Sequence, residues 1–293
     1  MTNIKTKTSV TGMRISRPLG IFLTLVSAFL FSTAGIFTKS VTADALSVIF
    51  WRGIFGGIAG LAFLLATGRL ETEIRGIGRV GWFLALINAS GTIAFITAFK
   101  LTSVAHVTLI WSTVPIVGGI IGWIWLRERV SIPFMLACLM VMGGVALLFD
   151  GDFGGGGMIG NLLAFWMTVM MAMLMAVYRR YPHAPTTLPA ILAAVMLILV
   201  AIIGAEPLAV GMTEIGILAM FGIIFYAASL TIAAGSKHIA PGEAGLLSVV
   251  ETPSAILLAL VILGEVPGST TLIGGAIIMA SVLWYQWRTL RSG

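Results

Sequence analysis

Apolar residues run along nearly the whole chain in stretches of helix length, interrupted by short clusters of charge, Gly or Pro. Ten such runs fall at about 18–38, 44–67, 80–99, 103–125, 131–149, 158–178, 186–204, 212–234, 241–263 and 268–287, each near the roughly 20 residues a helix needs to cross about 30 Å of hydrocarbon. The pattern predicts an all-α integral membrane protein of ten transmembrane helices. Residues 1–17 are polar and basic without a periodic apolar face, so they are expected as a short disordered cytoplasmic tail, with residues 288–293 as a second cytoplasmic tail. The stretch from Leu19 to Phe37 exceeds the apolar core of a signal peptide and is kept as a span. Two runs stand apart, Thr108 to Glu128 and Leu246 to Glu265, because each holds an internal proline and ends on a glutamate. The second also carries Glu251 in its middle, and a carboxylate at that depth is expensive unless it faces protein or a water-filled cavity.

Composition agrees with this pattern. Hydrophobic residues make up 59% of the chain and charged residues 10%, against about a quarter charged in soluble domains, and the mean hydropathy is +1.08. The net charge of +6 invites a nucleic-acid reading, but the cations gather at alternate loops and not along one stripe. With the N-terminus inside, the cytoplasmic segments hold Lys5, Lys7, Arg14, Arg17, Arg69, Arg75, Arg79, Arg127, Arg129, Arg179, Arg180, Lys237, Arg288 and Arg291, and the outer segments only Lys39 and Lys100. The positive-inside rule therefore predicts a multi-pass inner-membrane protein with both termini cytoplasmic and no nucleic-acid partner. Cys138 is the only cysteine, which excludes a disulfide framework and a thiolate metal site.

The acidic, glycine-rich segment 150–157 reads as a linker between residues 18–149 and 158–287. Across it, Ser103–Leu148 aligns with Ala240–Tyr285, setting Pro115 against Pro253 and Glu128 against Glu265 with a one-residue slip. Five spans per half is an odd number, so the second copy would enter the membrane upside down, giving two inverted five-helix repeats.

These features resemble the drug/metabolite transporter superfamily in its ten-helix branch of two EamA-type repeats. The resemblance rests on Ala98-Phe99-Lys100-Leu101-Thr102-Ser103 leading to Pro115 and Leu126-Arg127-Glu128-Arg129, then Ser236-Lys237-His238 leading to Glu251-Thr252-Pro253 and Leu263-Gly264-Glu265, together with Arg52. The chain departs from the family pattern in having Arg127-Glu128 where Gly-Glu is commoner, Thr113 before Pro115's valine, and a methionine-rich sixth span. The resemblance implies a basket of helices 1–4 and 6–9 around a central cavity with helices 5 and 10 outside. It also implies a bacterial exporter of amino acids, the aromatic ones included, and related metabolites. The outer faces of helices 5 and 10 admit a homodimer without requiring one.

Transport needs a few polar groups near the bilayer midplane to recognise the cargo. On helix 9, Ala244, Ser248, Glu251 and Ala255 share a face, and on helix 4 Thr108, Trp111, Ser112 and Pro115 do the same. Glu251 suits a proton carrier, with a neutral packing carboxyl as the alternative. Pro115 and Pro253 remove a backbone donor and are candidate hinges. Phe95, Trp111, Trp166 and Tyr226 suit an apolar, stacking wall. Asn88 and Asn161 suit a substrate amino or carboxylate group, with interhelical bonding as the alternative. Arg52 is expected in a salt bridge, with Asp44 as its partner, and snorkelling to the headgroups is the alternative. Lys100 and His106 at the outer mouth and Lys237 and His238 at the inner one are expected as solvated loop ends, with attraction of anionic groups as the alternative.

Other motifs are refused. Gly76-Ile77-Gly78-Arg79-Val80-Gly81 spells a dinucleotide fingerprint but follows no strand, and Asn88-Ala89-Ser90 spells a sequon inside a span. Gly53 with Gly57, and Gly118 with Gly122, are spaced for close helix approach. His106, His183 and His238 have no ligand spacing, so no metal, cofactor or catalytic residue is expected. The reading is an alternating-access secondary transporter exporting small amphipathic metabolites, amino acids with apolar or aromatic side chains foremost. A drug, toxin or other metabolite transporter of the same fold is the alternative, and behind it a channel or an intramembrane enzyme.

Overall fold

The computed structural model describes residues 9–102, 104–148, 157–204, 209–263 and 268–291, and these are helical almost throughout. The 150–157 linker up to Gly156, Ser103, Glu206 and Glu265 lie outside the described residues. The apolar runs become α1 (Ser9–Ser32) with α2 (Ala34–Lys39), α3 (Ala45–Thr67), α5 (Gly78–Leu101), α6 (Val104–Trp111) with α7 (Val114–Leu126), and α8 (Ile132–Leu148). They continue as α9 (Met158–Arg180), α10 (Thr187–Ala201), α11 (Met212–Gly235), α12 (Pro241–Ser248) with α13 (Glu251–Leu258), and α14 (Ser269–Arg291). A π-helical turn, Ala259–Leu263, follows α13. Among the described residues, six stretches are long and apolar enough to cross a membrane: Leu46–Thr67, Gly78–Ala98, His106–Leu126, Met158–Arg180, Met212–Gly235 and Pro241–Ile262.

Local chemistry sets the ends of these helices. Asp44 caps α3 by accepting from the Leu46 and Ser47 amides at 2.8 and 3.1 Å, and Gly68 ends the helix in the left-handed region at φ 64°. Arg127 takes the same conformation at the end of α7, φ 57°, which explains why glycine suits that position better. The segment between α3 and α5 is not a bare loop. It forms a short helix, α4 (Leu70–Gly76), in which Arg75 pairs with Glu71, while Glu73 reaches across to accept from the Thr187 and Leu188 amides at the start of α10.

The helices close into a ring in which the two halves of the chain alternate. α1 packs on α11, α11 on α3, α3 on α10, α10 on α5, α5 on α9, α9 on α6 and α7, α7 on α12, and α12 with α13 back on α1. α8 and α14 pack against each other outside the ring. Glycines set the close contacts: a Cβ at Gly222 of α11 would lie 3.0 Å from the Arg52 carbonyl oxygen and the Gly56 amide of α3. Gly53 and Gly57 face Ala194 and Ile198 of α10, so the small-residue pairs do mark helix crossings.

One end of the ring collects most of the charges, while Asp44 and Glu214 lie at the other. Arg17 binds the buried Glu243 at 2.7 Å, and Gln286 donates to the same oxygen at 3.1 Å. Arg179 binds Glu128 at 2.9 Å, and Lys237 donates to the Ala184 carbonyl at 2.6 Å. These contacts tie α1, α12 and α14 together, and α7 to α9, at what is here termed the basic end.

Candidate functional site

Two of the apolar runs are broken where their prolines predict. The fourth run turns at Ser112 and Thr113 before α7 begins, with Pro115 in the first turn of α7. The ninth turns at Val249 and Val250 before α13, with Pro253 in its first turn. A proline costs little there, because its missing N–H is one the helix start leaves unpaired in any case. At the first break, the Ser112 and Thr113 hydroxyls donate to the carbonyls of Leu109 and Ile110, each at 2.6 Å.

Toward the basic end, α7 and α12 cross almost backbone on backbone. A Cβ on Gly245 would lie 2.9 Å from the Pro115 Cα, and one on Gly118 would lie 2.8 Å from the Pro241 carbonyl oxygen. Toward the other end the two runs part company: α6 packs on α9 and α8, and α13 on α1 and α14. Pro115 and Gly245 therefore sit at the vertex of a V that opens away from the basic end.

Helical phase decides which candidates face the ring interior. On α5 the exposed Leu86 marks the outer face, and Asn88 and Phe95 lie about 200° and 180° around the helix from it. On α13 Pro253 packs on Gly275 of α14, outside the ring, so Glu251, two residues earlier, points roughly 200° away from α14. The Glu251 side chain is part-buried and has no hydrogen-bond partner among the described residues. Trp111 packs between two core clusters that join α6 to α5, α8, α9 and α12, and its indole N–H is buried without an acceptor among the described residues. Thr108 is part-buried beside it on α6.

Other candidates lie elsewhere. Trp166 is 49% exposed on the outer face of α9 with Ile159 and Leu162. Its indole donates to Ser90 at 2.8 Å, and with Leu86, Ile93, Met196 and Val200 it lines a lateral groove of about 410 Å³ between α5, α9 and α10. Depth along the run suggested an inner wall position for Trp166, but its rotation about the helix turns it out of the ring. Asn161 accepts from the Thr102 hydroxyl at 2.7 Å, an interhelical tie between the end of α5 and the start of α9. Tyr226 is buried against α10, 3.4 Å from the Thr187 hydroxyl. Ser248 turns back to its own helix, donating to Ala244 at 2.9 Å.

Arg52 corrects a sequence expectation. Asp44 is engaged in capping α3, while the Arg52 guanidinium is 3% exposed and lies 3.9 Å from the centroid of Phe225 and 5.7 Å from that of Phe221. Both terminal nitrogens are buried without a hydrogen-bond partner among the described residues. Glu243 was also missed as a site residue, although Pro241-Gly242-Glu243 carries the signature of a helix start. Glu73 was missed because its partner amides are 114 and 115 residues away. Lys237 and His238, expected as solvated loop ends, are partly buried. The Lys237 ammonium also lies 5.7 Å from the Tyr178 ring, and burial lowers its pKa while Glu73 opposes that shift. Among the described residues no group of three His, Cys, Asp or Glu side chains is gathered as a metal site.

A ring of apolar helices with most of its charges drawn to one end is a multi-pass membrane protein of transporter type. The model of the EamA-like transporter family matches residues 18–150. An uncharacterised transporter of Archaeoglobus fulgidus is similar over 274 residues at 26% identity, covering 90% of this chain and 94% of the relative. Mouse solute carrier family 35 member G1 is 32% identical over 139 residues, which is 46% of this chain and 37% of the carrier. A solved crystal structure has the same fold, with a TM-score of 0.76 at 22% identity over 91% of this chain and 96% of that one.

Proposed function

We propose that the chain is an alternating-access secondary transporter of the inner membrane that exports small amphipathic metabolites, amino acids with apolar or aromatic side chains foremost. In this reading ten spans form two inverted five-helix repeats, and the basic end faces the cytoplasm. The packing supports the repeat. Exchanging the halves turns the α1–α11 contact into α9–α5 and α3–α11 into α10–α5, and leaves α3–α10 and α8–α14 as they are.

The observation that carries the proposal is the place where this exchange fails. The packed crossing of α7 on α12 has α13 and α6 as its repeat equivalents, and those two pieces pack on other neighbours. Two inverted repeats caught in unlike conformations give that asymmetry, which is what a carrier open on one side requires. Here the basic end is closed by the α7–α12 crossing, the Arg17–Glu243 pair and the Arg179–Glu128 pair. The return step would part α7 from α12 and bring α6 to α13, with Pro115 and Pro253 at the bends. Glu251, turned inward and without a partner among the described residues, suits the ammonium of an amino acid or a coupling proton.

Reconstitution in liposomes tests the reading through counterflow of radiolabelled amino acids, dyes and sugar phosphates. Saturable amino-acid counterflow is expected. Ohmic current without counterflow would mean a channel, and exchange of dyes alone would transfer the cargo to drugs. Glu251→Gln is expected to abolish any dependence of transport on a pH gradient; retained dependence removes Glu251 from the coupling.

A further inference from the structure

The buried Arg52 has no role in the transport reading so far. It is the one Lys or Arg inside the ten apolar runs. On α3 it lies about 120° to 180° around the helix from the exposed Ile58, Leu61 and Leu65, so it faces inward. Phe225, over which it stacks, lies roughly 200° from the exposed Ile223 of α11 and also faces inward. The Phe225 ring meets Phe31 of α1 edge-on at 5.0 Å, and Phe221 stacks on Phe37 of α2 at 5.4 Å. Phe31, Phe37 and Phe225 are only partly buried, so apolar ring surface continues beside the guanidinium.

A lone buried cation is not explained by this surrounding. Withdrawing it from water costs more than an aromatic face returns. The described chain offers Nη1 and Nη2 no acceptor. None of the described residues supplies that partner, and an anion from outside the chain would. A guanidinium fork matches a carboxylate through two parallel hydrogen bonds, and a single cation suits a single negative charge better than a phosphate dianion. Resting on the transport reading, we propose that Arg52 is the anion-recognising group of the ring and that the cargo carries a carboxylate which pairs with Nη1 and Nη2, its apolar part lying on the neighbouring phenylalanines.

The test uses the full chain, purified in detergent, and three probes of one shape: 3-phenylpropionate, its neutral amide 3-phenylpropanamide, and phenethylamine. The carboxylate is expected to raise the melting temperature of the wild type, and the amide and amine to leave it unchanged. Arg52→Gln should abolish the response, and Arg52→Lys should weaken it about tenfold, because the fork is lost while the charge stays. Arg52→Met should hold or raise the melting temperature without ligand, since it removes an unpaired buried charge; a stacking role alone would lower it. An equal response to the amide, no response to the carboxylate, an undiminished response in Arg52→Gln, or a response to chloride in its place each overturns the assignment. The probe comparison on the wild type stands even if a variant fails to fold. In liposomes, amino-acid counterflow unaltered by Arg52→Gln would overturn the subsite and leave the transport reading. Carboxylate-selective stabilisation without amino-acid counterflow would support the subsite and remove the amino-acid cargo.

Discussion

Adding one methyl group at Gly245 should loosen the basic end. The new Cβ would stand 2.9 Å from the Pro115 Cα, 3.0 Å from its nitrogen and 3.1 Å from the Val114 carbonyl carbon. All three neighbours are backbone, so no rotamer relieves the clash, and α7 and α12 must separate by roughly half an ångström. Overpacking of this kind costs about 1 to 3 kcal/mol. The cost falls on the state in which α7 and α12 touch, so Gly245→Ala should shift the population toward states open at the basic end by about 5- to 150-fold. Maleimide labelling of Ser248→Cys reads this shift. Ser248 is 6% exposed and lies one turn beyond Gly245 on α12, and Cys138 on α8, 4% exposed, serves as an internal control in the same molecule. Faster labelling at position 248 with Cys138 unchanged is expected. Unchanged labelling at 248, or equal acceleration at both thiols, would refute a local opening of this crossing.

Three further outcomes follow from the loops. Arg127→Gly should raise the melting temperature, by the equivalent of about 1 kcal/mol, because φ 57° costs glycine nothing. Glu73→Ala should remove the cap from α10 and cost about 1 kcal/mol, read as faster hydrogen exchange at the Thr187 and Leu188 amides. His238 has its pKa lowered from 6.5 by burial first, then by Lys237 and Arg179, so folding favours its neutral form. The stability this contributes is present above about pH 6.5 and is lost as pH falls through that value toward the lower folded pKa. His238→Gln should flatten the acid limb of a melting-temperature profile, and an unchanged limb would show that another group titrates there.

Much of the architecture was legible because lipid imposes strict terms on a chain. Backbone polar groups cannot be left open in hydrocarbon, so apolar runs of this length are helices, and the runs read from the sequence coincide with helical segments of the fold. Pro115 and Pro253 marked the two breaks because a proline lacks the N–H that would pair with the carbonyl four residues back, although Pro18 lies within α1 without interrupting it. The groups that line the ring were less legible. Trp166 and Asn88 both lie in apolar runs well inside the helix ends, yet one opens on the outer groove and the other faces inward, a difference set by which helices pack on α9 and α5. Arg52 and Asp44 were read as partners from proximity along the chain, but a helix N-terminus claims the carboxylate first.

By itself, then, the sequence determined what was local: a membrane chain, its helical runs, its breaks, and a charge bias that separates its two ends. Only the tertiary structure decided what depends on rotation and pairing. It buried Glu243 between Arg17 and Gln286, set α7 backbone to backbone against α12, and stacked Arg52 on two phenylalanines. Those outcomes join residues far apart in the chain, and the physical terms that select them act only once the helices have packed.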